Sequence, residues 1–498
     1  MKGSWGVHWF RRDLRVFGND ALQLNLKKNE GKVLGLFCFD AKFLERPDFS
    51  NNRFAFFIKT LVALRKELHH HGGDLLVIDS SPELAFSRLL DFFQSHEMGK
   101  PALVTWGRDY EPFARNRDAK VAQLLEKEGV DYVTARDHVL LEPNEILKDD
   151  EKGGFYQVYS PFFKKWLSRF QTDSIQDRIG SQKKIKDYAN GLLNGEKKEI
   201  FKISWKPLLN QKDFPFDDAC SRFEKTNSEK VVIPIPEAGF SAAFQKLEEF
   251  KSGLAAYLDK RDIPSLSGTS RLSIFLKNGS IATSQVISYL GLNQVTDVRQ
   301  DGPLQFLKEI AWREFYYSIL FHRPDVEHTS FLLRYADIKW ENNSDWFERW
   351  KIGMTGVPIV DAGMRELLHT GWMHNRVRMI VASFLTKDLL IDWRWGEKHF
   401  MHHLLDGDLA SNNGGWQWAA STGCDPQPYF RIFNPWLQSE KFDPNGDYIK
   451  RFIPELAFAH PKILHQEDAD RSRFKYPTPL VRHASQREKA LKLYHSQK

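Results

Sequence analysis

Val33-Leu34-Gly35-Leu36-Phe37-Cys38-Phe39 is an unbroken apolar run, Leu75-Leu76-Val77-Ile78 is another, and residues 53–70 between them carry helical spacing. Short apolar runs bounded by polar turns read as strands buried on both faces. Three more lie at 7–10, 103–106 and 132–135, and residues 82–93 and 114–128 supply helix-period segments between strands. This alternation predicts a parallel sheet with helices on both faces, a Rossmann-like α/β domain. Gly72-Gly73 stands where a C-cap glycine belongs, just before the third strand. No Gly-x-Gly-x-x-Gly follows the first strand and no Gly-Lys-Ser/Thr loop occurs, so the domain lacks the glycine loops of ordinary dinucleotide and P-loop sites.

Outward from this sheet the pattern changes twice. Residues 141–235 break up: Asp149-Asp150-Glu151-Lys152-Gly153-Gly154 and the Lys-rich stretch 182–198 read as a solvated connector with a few short helices. From Pro236 onward helical signals dominate. The expected organisation is an α/β domain over 1–140, a long linker over 141–235 and a larger all-helical domain over 236–498, with no internal repeat.

Composition bounds the function. Of 498 residues, 42% are hydrophobic and 27% charged, a balance that excludes disorder, collagen-like repeats and a membrane bundle. The longest apolar runs are short, as around 379–385, so no spanning helix of ~20 residues is expected. The opening Met1-Lys2-Gly3-Ser4-Trp5 has no apolar core of a secretory signal. Three scattered cysteines, Cys38, Cys220 and Cys424, predict neither a disulfide framework nor a thiolate zinc site, which makes a reducing, cytoplasmic setting the expectation. A net charge of +6 and a pI near 8.9 are compatible with a polyanionic partner and decide nothing alone. Ten of the fifteen tryptophans fall between Trp312 and Trp436, which points to indole-dependent chemistry or large core fillers there.

Two helical stretches divide their faces unusually. Around Trp312, the apolar Leu304, Leu307, Ala311 and Phe315 share one side, while Glu309, Trp312, Arg313 and Tyr316 share the other. In the second, Val377, Ile380, Val381, Phe384 and Leu385 form a core stripe opposite Trp372, Asn375, Arg376 and Met379. Such a set suits an aromatic, hydrogen-bonding ligand; the alternative is a helix buried on two sides. A third stretch, Asp406-Gly407-Asp408-Leu409-Ala410-Ser411-Asn412-Asn413-Gly414-Gly415-Trp416-Gln417-Trp418, reads as a tight loop where backbone approaches a ligand. It does not match a calcium loop, because the third ligand position holds Ala410. His399, His402 and His403 could share a helix face, but there is no His-Glu-x-x-His, and no metal is expected. His69-His70-His71 reads as an exposed helix end.

Several of these motifs resemble one family. Trp9-Phe10-Arg11-Arg12-Asp13-Leu14-Arg15 resembles the opening signature of the photolyase/cryptochrome family. Trp312-Arg313-Glu314-Phe315-Tyr316, Gly371-Trp372-Met373-His374-Asn375-Arg376, the 406–418 stretch and Tyr429-Phe430-Arg431-Ile432-Phe433-Asn434-Pro435 resemble its flavin-domain motifs, in order and at compatible spacing. The resemblance covers nearly the whole chain and is nearest to class I cyclobutane pyrimidine dimer photolyases.

That resemblance implies a bent FAD in the helical domain and light-driven splitting of pyrimidine dimers in DNA, by an electron lent from the excited reduced flavin. It implies that Tyr257, Thr269, Ser270, Arg271, Leu272 and Ser273 hold the phosphates, where hydroxyls, backbone N–H groups and a guanidinium suit a pyrophosphate. Asp406, Gly407 and Asp408 fall at positions lining the ribityl-adenine side and the isoalloxazine edge, and Asn412 at the one facing flavin N5. Glu309, Asn375 and Met379 would touch a flipped dimer between the flat walls of Trp312 and Trp418. A carboxyl doing this in a dry pocket would have a raised pKa. Arg261, Arg313, Tyr316, Arg376 and Gln438 fall at DNA-contact positions. Trp340, Trp393 and Trp416 match the tryptophan chain that carries electrons to the flavin. The implied partner is DNA bearing pyrimidine dimers, with no membrane, and a monomer is expected.

A cryptochrome-type blue-light receptor is the alternative. Against it, the chain ends soon after Tyr476-Pro477-Thr478-Pro479, without the tail such receptors commonly add, and the dimer-contact residues are intact. A (6-4) photolyase would place histidines where Asn375 and Met379 stand, and DASH-type proteins tend to carry Gln at Met379. For a second, antenna chromophore, folate-binding relatives often show Asn-Glu where this chain has Phe113-Ala114. Glu111-Pro112-Phe113-Ala114-Arg115-Asn116-Arg117-Asp118 and Phe37-Cys38-Phe39-Asp40 look more like deazaflavin-binding relatives; a deazaflavin, a second flavin or an empty site remain open.

Overall fold

The computed structural model describes residues 4–46, 49–149, 153–295 and 301–497. The apolar runs become β1 (Gly6–Trp9), β2 (Val33–Phe39), β3 (Leu75–Asp79), β4 (Leu103–Gly107) and β5 (Tyr132–Ala135). They form one five-stranded sheet in the order β3-β2-β1-β4-β5, every pair parallel, with Val7 opposite Leu34 on one side and Val104 on the other. The order reverses at β1, where connections leave toward both edges and open a crevice at the strands' carboxyl ends. Helices α1 (Asp20–Lys28), α2 (Asn51–His70), α3 (Pro82–Ser95) and α4 (Pro112–Lys127) connect the strands. The sequence reading did not find α1, because only Ala21, Leu22 and Asn25 of its face are buried, too few for a period. Its start is set by Asn19, whose side chain accepts the Leu22 N–H.

The histidine run is only partly an exposed end. His71 is buried as the C-cap of α2; its ring meets the Lys198 carbonyl at 2.9 Å and the Tyr188 hydroxyl at 2.9 Å. Gly72 follows at φ +82°, the left-handed turn that frees the chain for β3.

The stretch after the sheet is no mere solvated connector. Helix α5 (Tyr159–Phe170) buries Tyr159, Phe162, Phe163, Trp166, Leu167 and Phe170, and Trp166 donates its indole N–H to Glu314 at 2.7 Å. After the Lys-rich stretch the chain returns to the sheet, where Trp205 donates to the Asp74 carboxylate at 2.7 Å and to the Val33 carbonyl at 3.2 Å. Lysine and aspartate dominate the composition here, but the anchors are aromatics at helical spacing. Of the predicted acidic turn, residues 150–152 lie outside the described residues, as do Met1, Lys2 and Gly3.

The C-terminal half is helical. The site depends on α6 (Gly302–His322), α7 (Asn375–Ser383), α8 (Trp393–His403) and α9 (Leu409–Ala419). The predicted stripes hold: Leu304, Leu307, Ala311 and Phe315 of α6, and Val377, Ile380 and Val381 of α7, are buried. Phe384 and Leu385 continue that core as a π-helical turn, Phe384–Asp388. Among the described residues no helix is long and apolar enough to cross a membrane, and no group of His, Cys, Asp and Glu is arranged to hold a metal. All three cysteines are free thiols.

Candidate active site

Helix α9 corrects the expected loop at 409–419. Asn and Gly are poor helix formers, yet the segment is helical because Asp408 caps it, accepting the Ser411 N–H at 3.1 Å. The glycines serve packing. A side chain at Gly414 would collide with the Tyr316 ring, so this glycine lets α9 approach α6 closely, whereas Gly415 faces open space. Asn413 donates to the Val326 carbonyl at 2.9 Å and to Glu397 at 3.0 Å, and Gln417 donates to Val326 at 3.1 Å. Asn412 is half-buried and donates its amide to the Glu397 carbonyl at 3.1 Å. Its side-chain carbonyl oxygen has no partner among the described residues.

Helix α7 begins one residue after His374, not at Trp372 as the periodicity suggested. Gly371 at φ +66° ends the preceding helix, Pro358–Thr370, and His374 caps α7 by accepting the Arg376 N–H on Nδ1 at 3.2 Å. An acceptor nitrogen requires a neutral ring, and burial pushes His374 down to about 4. Trp372 therefore lies outside the helix, its ring under the Arg271 guanidinium at 4.1 Å. Asn375 and Met379 do share a face, with the Asn375 amide 3.8 Å from the Met379 sulfur.

A chain of ion pairs joins this face to that of α6. Glu309 accepts a hydrogen bond from Arg261 and another from Gln305 at 2.9 Å. Arg261 lies 3.8 Å from the Asp262 carboxylate, which pairs with Arg376 at 2.9 Å. Arg376 in turn stacks on Phe442 at 4.3 Å, in the helix Pro435–Phe442 that carries the half-buried Gln438. Glu309, Arg261, Arg376, Asn375, Met379 and Gln438 thus belong to one rim. Glu309 lies not in the expected dry pocket but in a partly exposed setting, 30% open, in which its carboxylate is ion-paired with Arg261. Its field reaches Tyr159 and Tyr257, whose phenols burial first, and this carboxylate second, push up.

Two predicted rim residues point elsewhere. Arg313 donates to the His138 carbonyl at 2.9 Å and to its ring at 2.6 Å, and stacks on Tyr317, which takes it out of the set expected to grip DNA. Tyr316 packs against Gly414 and Trp312 as an inner wall. Both sit on the expected side of α6, but that side is shared between the rim and the α/β domain. Trp312 lies face to face with Tyr159, ring centroids 3.7 Å apart and planes 6° apart, and Trp418 is partly buried with its ring edge near Phe433.

The region expected to hold phosphates has the right chemistry. Tyr257 is buried between Phe250 and Phe306, and its hydroxyl has no protein partner among the described residues, nor has that of Thr269. Ser270 accepts the Leu272 N–H at 3.4 Å, Leu272 is buried, and Ser273 opens the helix Ser273–Asn278. Arg271 sits at φ +51°, a backbone state costing of order 1–3 kcal/mol for a non-glycine residue. Unpartnered hydroxyls and a guanidinium with no carboxylate partner among the described residues fit a pyrophosphate.

Asp406 is chelated by one nitrogen of Arg378, at 3.1 and 2.9 Å. Arg378 was missed, although its spacing of three from Asn375 placed it on the same face. Gly407 leaves room for Arg53, which donates to the Leu404 carbonyl at 3.2 Å. Asp408 is the hub of a buried ionic cluster. It pairs with Arg12 at 2.7 Å and Lys277 at 3.4 Å and accepts the Tyr317 hydroxyl. Burial alone would raise its carboxyl, but Lys277, Arg12 and Arg313 hold it far below the usual range. Arg12 comes from the first βα connection and also pairs with Glu111 at 2.6 Å. The opening motif thus reaches across to the cap of α9.

Trp416 and Trp393 are buried, at 2% and 0% exposure, and Trp340 is partly exposed. Gly396, three residues after Trp393 on α8, leaves no room for a side chain beside the Trp416 ring. Trp340 meets Tyr494 edge-on at 6.1 Å.

Comparison with known proteins bears on this arrangement. Residues 6–179 match the family described as DNA photolyase, and residues 306–496 the family described as the FAD binding domain of DNA photolyase. The chain is 37% identical over 496 residues to a deoxyribodipyrimidine photo-lyase of Synechococcus sp., covering 99% of this chain and 96% of that one. It is 34% identical to the deoxyribodipyrimidine photo-lyase of Escherichia coli, covering 98% and 97%. The structure superposes on a bacterial class III photolyase from Agrobacterium tumefaciens with a TM-score of 0.81 at 32% identity, covering 100% of this chain and 98% of that one. An archaeal photolyase from Sulfolobus tokodaii, solved with two FAD molecules, gives 0.76 at 29% identity, covering 99% of each.

Proposed function

The chain belongs to the DNA photolyase family, and from that membership we propose that it repairs DNA by light-driven splitting of cyclobutane pyrimidine dimers. It is a deoxyribodipyrimidine photo-lyase by relationship over nearly its full length. FAD is its cofactor; bound, reduced and excited by blue light, it supplies the electron that opens the cyclobutane ring and receives it back. Tyr257, Thr269, Ser270, Arg271, Leu272 and Ser273 would hold its phosphates. Asp406 with Gly407 and Asp408, and the free oxygen of Asn412, would line its ring system.

This chain's residues do the placing. Arg261, Arg376 and Gln438 grip the strand beside the lesion. Trp312 and Trp418 wall the flipped dimer; stacking on aromatics is worth about 1–3 kcal/mol per base, enough to offset a flipping cost of a few kcal/mol. Asn375 and Glu309 present an amide and a carboxylate to the base edges, and Met379 fills the space beside them. Trp340, Trp393 and Trp416 carry electrons inward when the flavin is oxidised. The observation that supports this reading most is the ion-pair chain from Glu309 through Arg261 and Asp262 to Arg376, which joins the two helix faces into one rim.

A second chromophore would sit in the α/β domain. A cavity of about 420 Å³ lies between the β4–β5 edge, α4 and the end of α6, lined by Trp106, Tyr132, Tyr110, Arg115 and Phe321, a size and lining that suit one flat aromatic guest. With Phe113 and Ala114 where folate binders carry Asn-Glu, a deazaflavin is favoured over folate. We further propose a monomer acting in the cytoplasm.

The test is loss of thymine dimers from DNA under blue light against a dark control. Dimer loss in light alone is the expected result; no light-dependent loss would remove the repair reading and favour a photoreceptor.

A further inference from the structure

The guanidinium expected to meet a DNA phosphate is already occupied. Arg261 donates from Nη1 to Glu309 Oε1, and Gln305 donates to the same oxygen at 2.9 Å. Arg376, the second rim cation, is held by Asp262 at 2.9 Å, so two guanidiniums face two carboxylates and the rim carries no net charge among these four groups. The Arg261–Glu309 pair is half-sheltered, with side-chain exposures of 17% and 30%. A backbone phosphate that takes Arg261 as a two-pronged partner must therefore displace a carboxylate and lie beside its negative charge.

We propose that Glu309 guards Arg261 against intact DNA and is released to the dimer only when a damaged strand binds. The inference rests on the repair reading of this site and assigns Glu309 a part in selectivity as well as in contact. On an undamaged strand, the phosphate gains Arg261 while the displaced Glu309 keeps Gln305 and otherwise finds only water and a nearby anion. On a damaged strand, the flipped dimer offers its thymine N3–H groups, and the freed carboxylate accepts from them. The loss of one ion pair is then recovered only with the correct substrate, which turns it into discrimination. Nothing covalent changes: one hydrogen-bond acceptor is exchanged for another at Arg261, and one donor for another at Glu309.

The test is equilibrium binding of flavin-loaded protein to undamaged and dimer-containing duplexes, across a salt series, in the dark. Glu309→Gln, which removes the charge and keeps the shape, should bind undamaged DNA about 3- to 10-fold tighter, with a salt slope steeper by about 0.9, the signature of one added phosphate contact. Its preference for the dimer should fall at least about tenfold, within the range a well-made polar contact commands. Glu309→Asp keeps the charge but withdraws it from Arg261, and should tighten undamaged binding by only about twofold. In the double variant Glu309→Gln, Arg261→Gln the gain should vanish, because its recipient is gone. Unchanged or weaker binding of undamaged DNA by Glu309→Gln would overturn the guard, as would a gain that persists without Arg261. Wild-type protein assayed alongside separates the two claims: if it repairs dimers in light while the variants fail these expectations, the guard alone falls. If wild type neither repairs nor prefers the dimer, the repair reading falls.

Discussion

Replacing Arg12 with alanine removes the cation that ties the first βα connection to the cap of α9. Arg12 contacts Asp408 at 2.7 Å, Glu111 at 2.6 Å, Asp109 at 3.4 Å and the His138 ring at 2.8 Å, with its side chain 14% exposed. Breaking a buried pair by removing one partner costs about 3–5 kcal/mol, because the remaining charge stays buried. Lys277 still faces Asp408 at 3.4 Å, which places the loss toward the lower end. With an unfolding entropy of about 2.1 cal/mol/K per residue, a chain of 498 residues has a slope near 1 kcal/mol per degree, so the melting temperature should fall by about 3–4 °C. The control is Arg65→Ala at the Arg65–Asp218 pair, with side chains 22% and 42% exposed, where about 0–1 kcal/mol is expected. Acidity supplies a second arm. Asp408 is depressed in the fold, so its contribution is fully present above the ordinary carboxylate range near pH 4 and is lost as pH falls below it. The gap between wild type and Arg12→Ala should be constant from neutrality to about pH 5 and narrow on further acidification. Calorimetry at several pH values measures both. A drop under about 1 °C, or one equal to the Arg65→Ala control, would refute the view of this cluster as a structural tie.

Two further outcomes follow from the site. Trp416→Phe should block photoreduction of oxidised flavin while leaving flavin content unchanged, read from the bleaching of its absorbance under blue light with an external reductant; undiminished photoreduction would contradict its place at the inner end of the chain. Tyr159→Leu removes the ring stacked on Trp312 and should weaken binding of dimer-containing DNA about 5- to 10-fold, a loss at the low end of the stacking range of about 1–3 kcal/mol, with repair per bound dimer unchanged. Tyr159→Phe, which keeps the ring and loses only the hydroxyl bond to the Lys308 carbonyl, should bind like wild type.

Strands β1 to β4 were legible because each is a short, mostly apolar run buried on both faces, as in Val33–Phe39, whereas β5, with all four residues half-buried, was legible from its residue types alone. The faces of α6 and α7 were legible because Glu309, Asn375 and Met379 repeat at helical spacing. What escaped the sequence was set by long-range partners. Helix α9 forms from Asn- and Gly-rich sequence because Asp408 caps it and Tyr316 requires a glycine opposite. Arg313 lies on the correct side of its helix but answers to His138, which is 175 residues away in the chain. Arg378 answers to Asp406 across a turn, and Asp262 gains its meaning only from Arg376, far along the sequence. Trp372 left its expected helix because Gly371 turns the chain and His374 restarts it.

The path of residues 159–205 has an evolutionary consequence. Tyr159 braces Trp312, Trp166 holds Glu314, and Trp205 returns to lock onto Asp74 beneath the sheet. A segment stitched to both halves at these points is poor material for swapping: a helical half grafted onto a foreign α/β half would arrive with an unbraced indole at its substrate wall. Shuffling of such modules should therefore be rare unless the intervening strap travels with them.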